Sequence, residues 1–217
     1  MSDVLSRFAQ LDACAVSDAL DRLALPGAVG GISRLTTTRR VWGRIITVKM
    51  GPDEGQAPAS RHLGTTAIES AQPGDVIVME QRTGIEAACW GGNLSLGAQL
   101  RQIAGVIVDG PARDIDEARE YDFAIFARST TSRTARGRIV EVATNVAITV
   151  GDVTVNPGDF VVADGSGVVF VAHADAARVL DAAEAVLTRE RAMVAALRDG
   201  TPISQVMGSG YETMLKK

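Results

Sequence analysis

The segment 89–120, CWGGNLSLGAQLRQIAGVIVDGPARDIDEARE, constrains the fold more than any other part of the chain. Residues 92–104 place Leu96, Leu100 and Ile103 at helical spacing, and Gly105-Val106-Ile107-Val108-Asp109 is a short apolar run with the length and β-branched content of a buried strand. Upstream, Gln72-Pro73-Gly74-Asp75 launches a second such run, Val76 to Glu80. Strand, helix and strand in succession require a parallel pair joined by a crossover, and such crossovers are almost always right-handed. The fold class is therefore α/β, with a ligand site expected where the loops leave the carboxyl ends of the strands.

The remaining elements read around that unit. Residues 2–10 and 14–24 form helices, 41–50 a long β-branched strand, 59–71 a helix and 123–127 a further strand. From 139 to 171 β-branched residues alternate with turns, including hairpin turns at Gly151-Asp152 and at Asp164-Gly165-Ser166-Gly167. Asn156-Pro157-Gly158-Asp159 repeats the earlier Pro-Gly-Asp device, which suits a type II turn in each place and needs no duplicated domain. The longest helical pattern runs from 173 to 199 and stops at Gly200 and Pro202, with an apolar stripe for its own sheet or a neighbouring subunit. The tail from Ile203 to Lys217 docks or frays. At 217 residues the chain suits one domain, 1–217, large enough for a core without metals or disulfides.

Several chemistries are disfavoured by residue usage. Lysine occurs only at Lys49, Lys216 and Lys217, while arginine supplies nineteen of the 22 basic residues, so a Schiff base has almost no candidate. His62 and His173 stand far apart and read as structural, and Cys14 and Cys89 read as small buried hydrophobes. Net charge is −4 and the arginines are scattered, which gives no footprint for nucleic acid. No run has the length and apolarity of a membrane span, and charges punctuate the N-terminus, so the expectation is a cytoplasmic protein whose partner is a small molecule or another protein.

Two motifs in the central segment carry chemistry. Trp90-Gly91-Gly92-Asn93-Leu94 is a glycine turn opening a helix, whose free N–H groups suit a carboxylate; close packing alone also explains paired glycines. Gly110-Pro111-Ala112-Arg113-Asp114 is a tight loop after the strand, ending in an Arg fork beside a metal-competent oxygen ligand. Asp114-Ile115-Asp116-Glu117 also fits a capping box, with Asp114 as N-cap and Glu117 reaching back, and the two roles can coexist. Asp53 and Glu54 read as solvated charges of a polar loop at 51–58.

Trp90 to Leu94, the helix after it, Gly105 to Gly110 and Arg113 to Glu117 together resemble the hallmark region of the 4-hydroxy-4-methyl-2-oxoglutarate/4-carboxy-4-hydroxy-2-oxoadipate aldolases and their RraA-like relatives. Ser17 to Asp21 and the stretch from Pro157 to Val168 extend the likeness over most of the chain. The resemblance implies a single-domain swivelling-type β/β/α layered fold with flanking helices and a long C-terminal helix, assembled as a homotrimer or hexamer. It implies a class II pyruvate aldolase using a divalent cation, Mg²⁺ or Mn²⁺, with oxaloacetate decarboxylation as a second reaction. Carried onto this sequence, Gly91, Gly92, Asn93 and Leu94 form the pocket for the carboxylate of a 2-oxo acid, Arg113 binds substrate oxygens and Asp114 ligates the metal. Twenty residues separate Gly92 from Arg113, and relatives often carry an acid at that first position; here a water-ordering carboxylate is missing and must come from solvent or another chain. The general base is then a metal-bound water, with Glu190 of a neighbouring chain implied as an assistant; as a residue between Arg189 and Arg191, Glu190 also reads as an exposed helix charge. Arg128, Arg133, Arg136 and Arg138 are candidates for a distal carboxylate, or else members of a solvated loop. The competing function is that of an RraA-like regulator that inhibits a ribonuclease without chemistry.

Overall fold

The structure, a computed structural model, describes residues 2–55 and 60–208. In chain order it contains α1 (Ser2–Phe8), α2 (Ala13–Arg22), β1 (Ala28–Val29), β2 (Ser33–Arg34), β3 (Val41–Pro52), α3 (Thr65–Ser70), β4 (Val76–Glu80), α4 (Gly92–Leu100), β5 (Gly105–Ala112), α5 (Ile115–Glu120) and β6 (Ile125–Thr130). Then follow β7 (Ile139–Thr144), β8 (Ile148–Val150), β9 (Val153–Val155), β10 (Phe160–Ala163), β11 (Val168–Val171), a 3₁₀ turn (His173–Asp175), α6 (Ala176–Arg198) and α7 (Ile203–Val206).

The sheet is ordered β1-β11-β10-β3-β4-β5-β6-β2, with β7 on β3 and a separate β8-β9 hairpin. Strands β3 to β6 are mutually parallel, as the strand-helix-strand order requires, and the flanking pairs are antiparallel. β3 is long because it serves two sets of partners. Residues 45–49 pair with β4 on one edge, while β10 takes 41–44 and β7 takes the end of the strand on the other.

Three apolar clusters line the curled sheet. One lies under α3, α4 and α5 and includes Ile46, Met79, Trp90, Val108, Phe123 and Ile125. The opposite face of the same strands packs on the β8-β9 hairpin through Ile45, Val78, Ile107 and Phe126. The third joins α1, α2 and α6 to β10 and β11 through Phe8, Val16, Phe160, Val171 and Leu180. This layered α/β architecture with a long C-terminal helix is the expected one.

Both Pro-Gly-Asp turns are built alike. Gly74 and Gly158 take φ of 86° and 88°, as a type II turn demands at its third position. The buried Asp75 and Asp159 accept the N–H of Gln72 and Asn156 at 2.9 and 2.7 Å, so each turn closes on its own carboxylate. Arg44 adds a two-pronged contact to Asp75 at 3.1 and 2.8 Å, and that carboxylate is what holds the guanidinium pKa up.

A row of charges crosses the hairpin-side face. Lys49, Glu80 and Asp109 are register neighbours on β3, β4 and β5, and Arg128 of β6 pairs with Asp109. Glu80 accepts the N–H of Thr149 at 2.7 Å and Asp109 that of Gly151 at 2.8 Å. The row therefore anchors the hairpin. Lys49 sits 3.8 Å from Glu80 in this row, and Lys216 and Lys217 lie outside the described residues.

Several expectations are corrected. Cys14 is exposed, whereas Cys89 is buried as expected and its thiol is pushed up to about 12 by loss of solvent. The helix expected at 59–71 is confined to Thr65–Ser70, and 56–59 lie outside the described residues. α4 ends at Leu100, which is 72% exposed, and Leu96 is also exposed; its buried face is Gly92, Leu94, Ser95 and Ala98. The buried face is made mostly of small residues, a signal that apolar periodicity does not carry. Of the tail, Ile203–Val206 is helical and 209–217 lie outside the described residues.

Candidate active site

β5 does not end at Asp109 in a Gly-Pro loop. It continues to Ala112, with an irregularity after Val108 beyond which Pro111 and Ala112 pair with Ser129 and Thr130. Proline lacks an N–H for the ladder, and a break in register is where a strand tolerates it. The extension carries Arg113 and Asp114 to the sheet edge, beside the start of α4.

That start is fixed from beneath. Trp90 is buried, stacks on Phe123 at 5.9 Å between ring centroids, and donates its indole N–H to Ser95 Oγ at 3.0 Å. Ser95 Oγ in turn donates to the Gly91 carbonyl at 3.0 Å, and Arg113 N–H donates to the Trp90 carbonyl at 2.9 Å. The turn and the strand end are thus one hydrogen-bonded unit.

Asp114 adopts a left-handed backbone, φ 55° and ψ 43°, and makes no side-chain cap on α5. Its carboxylate turns the other way. Oδ2 accepts the Gly92 N–H at 3.0 Å, and both oxygens lie 3.1 Å from Arg113 Nε. The capping-box expectation is therefore wrong for Asp114, and its non-helical backbone, rare for a residue with a side chain, is spent on aiming the carboxylate across to α4. Arg113 commits only Nε to this contact among the described residues, which leaves its two terminal nitrogens for a ligand.

Glu117 does not reach back as a cap either. Its carboxylate lies directly over Gly92, where a Cβ would stand 2.9 Å from Glu117 Cδ, closer still to Oε2 and 3.3 Å from Asp114 Cβ. The missing side chain at position 92 thus makes room for a carboxylate brought from α5. Glu117 stands four residues beyond Arg113 and one helical turn after Asp114, and the sequence reading had no site role for it beyond a helix cap.

These groups line one cavity of about 290 Å³ with His62, Leu63, Ala88, Cys89, Thr134 and Ala135 on its remaining walls. Gly91, Gly92, Asn93, Leu94, Arg113 and Asp114, the predicted set, are all in the lining, and Glu117 joins them. First-turn N–H groups have no partner within a helix. That of Gly92 is taken by Asp114, so among the described residues those of Asn93 and Leu94 are left for an anion. His62, read from sequence as structural, is a wall residue; His173 is structural as expected, stacked on Phe160 at 5.6 Å. Arg128, Arg133, Arg136 and Arg138 all lie outside the lining. Arg128 is engaged with Asp109 and Gly30, Arg133 with Glu86, and Arg138 with the carbonyls of Thr134 and Arg136. Glu190 is on α6 beside Asp12 and Asp18, away from this chain's own cavity; burial and those two acids hold its pKa up.

A sequence model of the RraA-like family, described as Aldolase/RraA, matches residues 13–170. The chain belongs to the RraA-like family. A family relative from Halalkalibacterium halodurans, whose name proposes a 4-hydroxy-4-methyl-2-oxoglutarate aldolase, is 32% identical over 91% of this chain and 90% of its own. Protein DlpA of Legionella pneumophila is 24% identical over 94% of this RraA-like chain, which spans only 33% of DlpA. A crystal structure of an uncharacterized protein from Pseudomonas syringae pv. tomato superposes with a TM-score of 0.86 at 30% identity, covering 96% of this chain and 98% of that one. Streptomyces coelicolor RraAS2, described as an unusual member of the RNase ES inhibitor RraA protein family, superposes with a TM-score of 0.78 at 25% identity, covering 88% and 95%.

Proposed function

We propose that the chain is a divalent-metal-dependent pyruvate aldolase that cleaves 4-hydroxy-2-oxo diacids, such as 4-hydroxy-4-methyl-2-oxoglutarate, to pyruvate and a second oxo acid, and decarboxylates oxaloacetate. The observation that carries this reading is the convergence of Arg113, Asp114, Glu117 and the free N–H groups of Asn93 and Leu94 on one cavity. The name of the Halalkalibacterium relative supports the same substrate class.

The donor set suits a hard cation. Asp114 is held in place by Gly92 and Arg113, and the Glu117 carboxylate beside it has no protein donor among the described residues. One or two carboxylates completed by water and substrate oxygens is the usual manner of holding Mg²⁺, and Mn²⁺ suits the same ligands. When bound, such a cation supplies Lewis-acid polarisation of the 2-oxo group.

The chain's own groups do the rest. The N–H groups of Asn93 and Leu94 receive the 1-carboxylate of the substrate. The terminal nitrogens of Arg113 donate to the 2-oxo oxygen, whose charge grows as the C3–C4 bond breaks and its electron pair passes into the enolate of pyruvate. Glu117, directly or through one water, accepts the proton of the C4 hydroxyl as C4 becomes a carbonyl. In oxaloacetate the bond to the leaving carboxylate breaks instead, CO₂ departs, and the same enolate remains on the same donors.

The test is pyruvate release from oxaloacetate by wild type with Mg²⁺, by wild type with EDTA, and by Asp114→Ala with Mg²⁺. Loss in the last two is expected, and equal rates in all three would remove Asp114 from any metal role. A second reading, inhibition of a ribonuclease, follows the description of the Streptomyces neighbour. Stoichiometric recovery of a ribonuclease on the immobilised chain, with no turnover of any 2-oxo acid, reverses the order.

A further inference from the structure

A second cleft, of about 180 Å³, is lined from α1, the start of β3 and the residues that lead into β4 and β5. It shares no lining residue with the cavity that holds Arg113 and Asp114. Leu5, Val41, Trp42 and Ala104 give it apolar walls, and Arg39 and Arg40 give it charge. No side chain in this lining can accept a hydrogen bond, because arginine and tryptophan only donate and the other members have no polar side-chain atom. The cavities that contain Arg113 and Arg34 differ, since each also carries a carboxylate, Asp114 in one and Asp164 in the other.

The donors of this cleft are not all spent within the fold. Arg39 is met outside it, with Nη2 on the Asp122 carbonyl at 2.6 Å and Nε 3.2 Å from the Asp122 carboxylate. Arg40 is not. Its Nη2 donates to the Ala9 carbonyl at 2.8 Å, and among the described residues it has no acidic partner. Its Nε is buried with no acceptor at all, whereas buried donors in folded proteins are nearly always paired. The indole N–H of the half-buried Trp42 also has no acceptor among the described residues. An unanswered cation and an unanswered neutral donor therefore stand in one lining beside apolar walls.

A ligand suited to such a lining accepts without donating, carries negative charge and brings an apolar surface. An ionised carboxylate on an apolar body meets all three conditions, and its bond to a guanidinium is charge-assisted. We propose that this cleft is a second binding site, for a compact carboxylate with an apolar body, with Arg40 as its cation and Trp42 as its neutral donor. The volume is below that of most ligand sites, which limits the body to on the order of a single ring. The assignment stands apart from the lyase reading, because no residue is common to the two linings.

The experiment is calorimetric titration of the full chain with benzoate and with benzamide, which share a shape and differ in charge. A hydrogen bond between charged groups is worth about tenfold or more in affinity over a neutral one, so wild type should prefer benzoate by at least that factor. Arg40→Gln is expected to erase the preference while keeping the wild-type circular dichroism spectrum. Arg113→Ala is expected to retain it, which separates this cleft from the first cavity. Benzoate should also change the tryptophan fluorescence of wild type and not that of Trp42→Phe, since the other tryptophan, Trp90, is buried. Equal affinity for the two probes, no saturable binding of benzoate, a preference kept in Arg40→Gln or one lost in Arg113→Ala overturns the assignment. Should Arg40→Gln fail to fold, Arg39→Glu at an exposed position of the same lining takes its place, and an unchanged Kd for benzoate there overturns it equally. Inorganic phosphate bound as tightly as benzoate does so too, because the apolar walls would then contribute nothing.

Discussion

Gly92→Ala separates the two things glycine does at that position. Its Cβ would stand 2.9 Å from Glu117 Cδ, against 3.4 Å for an ordinary contact, and Oε2 lies nearer than Cδ. The carboxylate therefore moves by at least the difference at Cδ and, to free its oxygen, by on the order of 1 Å, a misplacement that costs about a hundredfold in rate when the group takes part in the reaction. A hundredfold is about 2.7 kcal/mol of transition-state stabilisation. Folding has little penalty, because the nearest obstacle is the far end of a flexible, exposed side chain, the 3.3 Å approach to Asp114 Cβ asks for a shift of only a few tenths of an ångström, and alanine is favoured over glycine in a helix by up to about 1 kcal/mol. The expected result is an unchanged or raised Tm together with a kcat/KM for oxaloacetate reduced by about two orders of magnitude, measured by coupling pyruvate to lactate dehydrogenase. Glu117→Gln should reproduce the loss, and the double variant should lose no more than either single one, since both act through one carboxylate. Wild-type kcat/KM in Gly92→Ala, or losses that multiply in the double variant, would refute the placement of Glu117 in the reaction.

Two acids on α6 should respond with opposite signs. Arg7 holds the Glu184 pKa below the usual range, so its contribution is present above the unfolded pKa and is lost as pH falls through the folded one; Glu184→Gln should lower Tm at pH 7 and not in strong acid. Burial, Asp12 and Asp18 hold the Glu190 pKa up, so that group favours folding only when protonated and opposes it as pH rises through the folded pKa; Glu190→Gln should raise Tm at pH 7, with the gain vanishing below about pH 4. A shift of the same sign for both, followed by circular dichroism, contradicts the assignment. Asp109→Ala leaves the Gly151 N–H without its acceptor and releases Arg128 and Arg82, whose exposed ends water can solvate, and should cost about 1–3 kcal/mol in urea unfolding. Iodoacetamide at neutral pH should label Cys14 and spare Cys89 until the chain is unfolded, as an exposed thiol and one pushed up to about 12 require.

The sequence alone determined the parallel β4-α4-β5 unit, because apolar periodicity and chain connectivity are local properties that leave one topology open. It also determined both Pro-Gly-Asp turns, whose chemistry is complete within four residues. From the motif it placed Gly91 to Leu94 beside Arg113 and Asp114. What it could not decide was where the side chains of Asp114, Glu117 and His62 go. A capping box is a legitimate local minimum for Asp114 and Glu117, and it loses to contacts with Gly92 and Arg113 that exist only once α4 and α5 are packed on one sheet edge. His62 reaches the cavity because the segment before α3 is tied to Glu141 on β7, far along the chain. The glycine at 92, read as the loss of an acid, is in three dimensions the opening that admits one, since the volume a side chain leaves empty is visible only when its neighbours are in place.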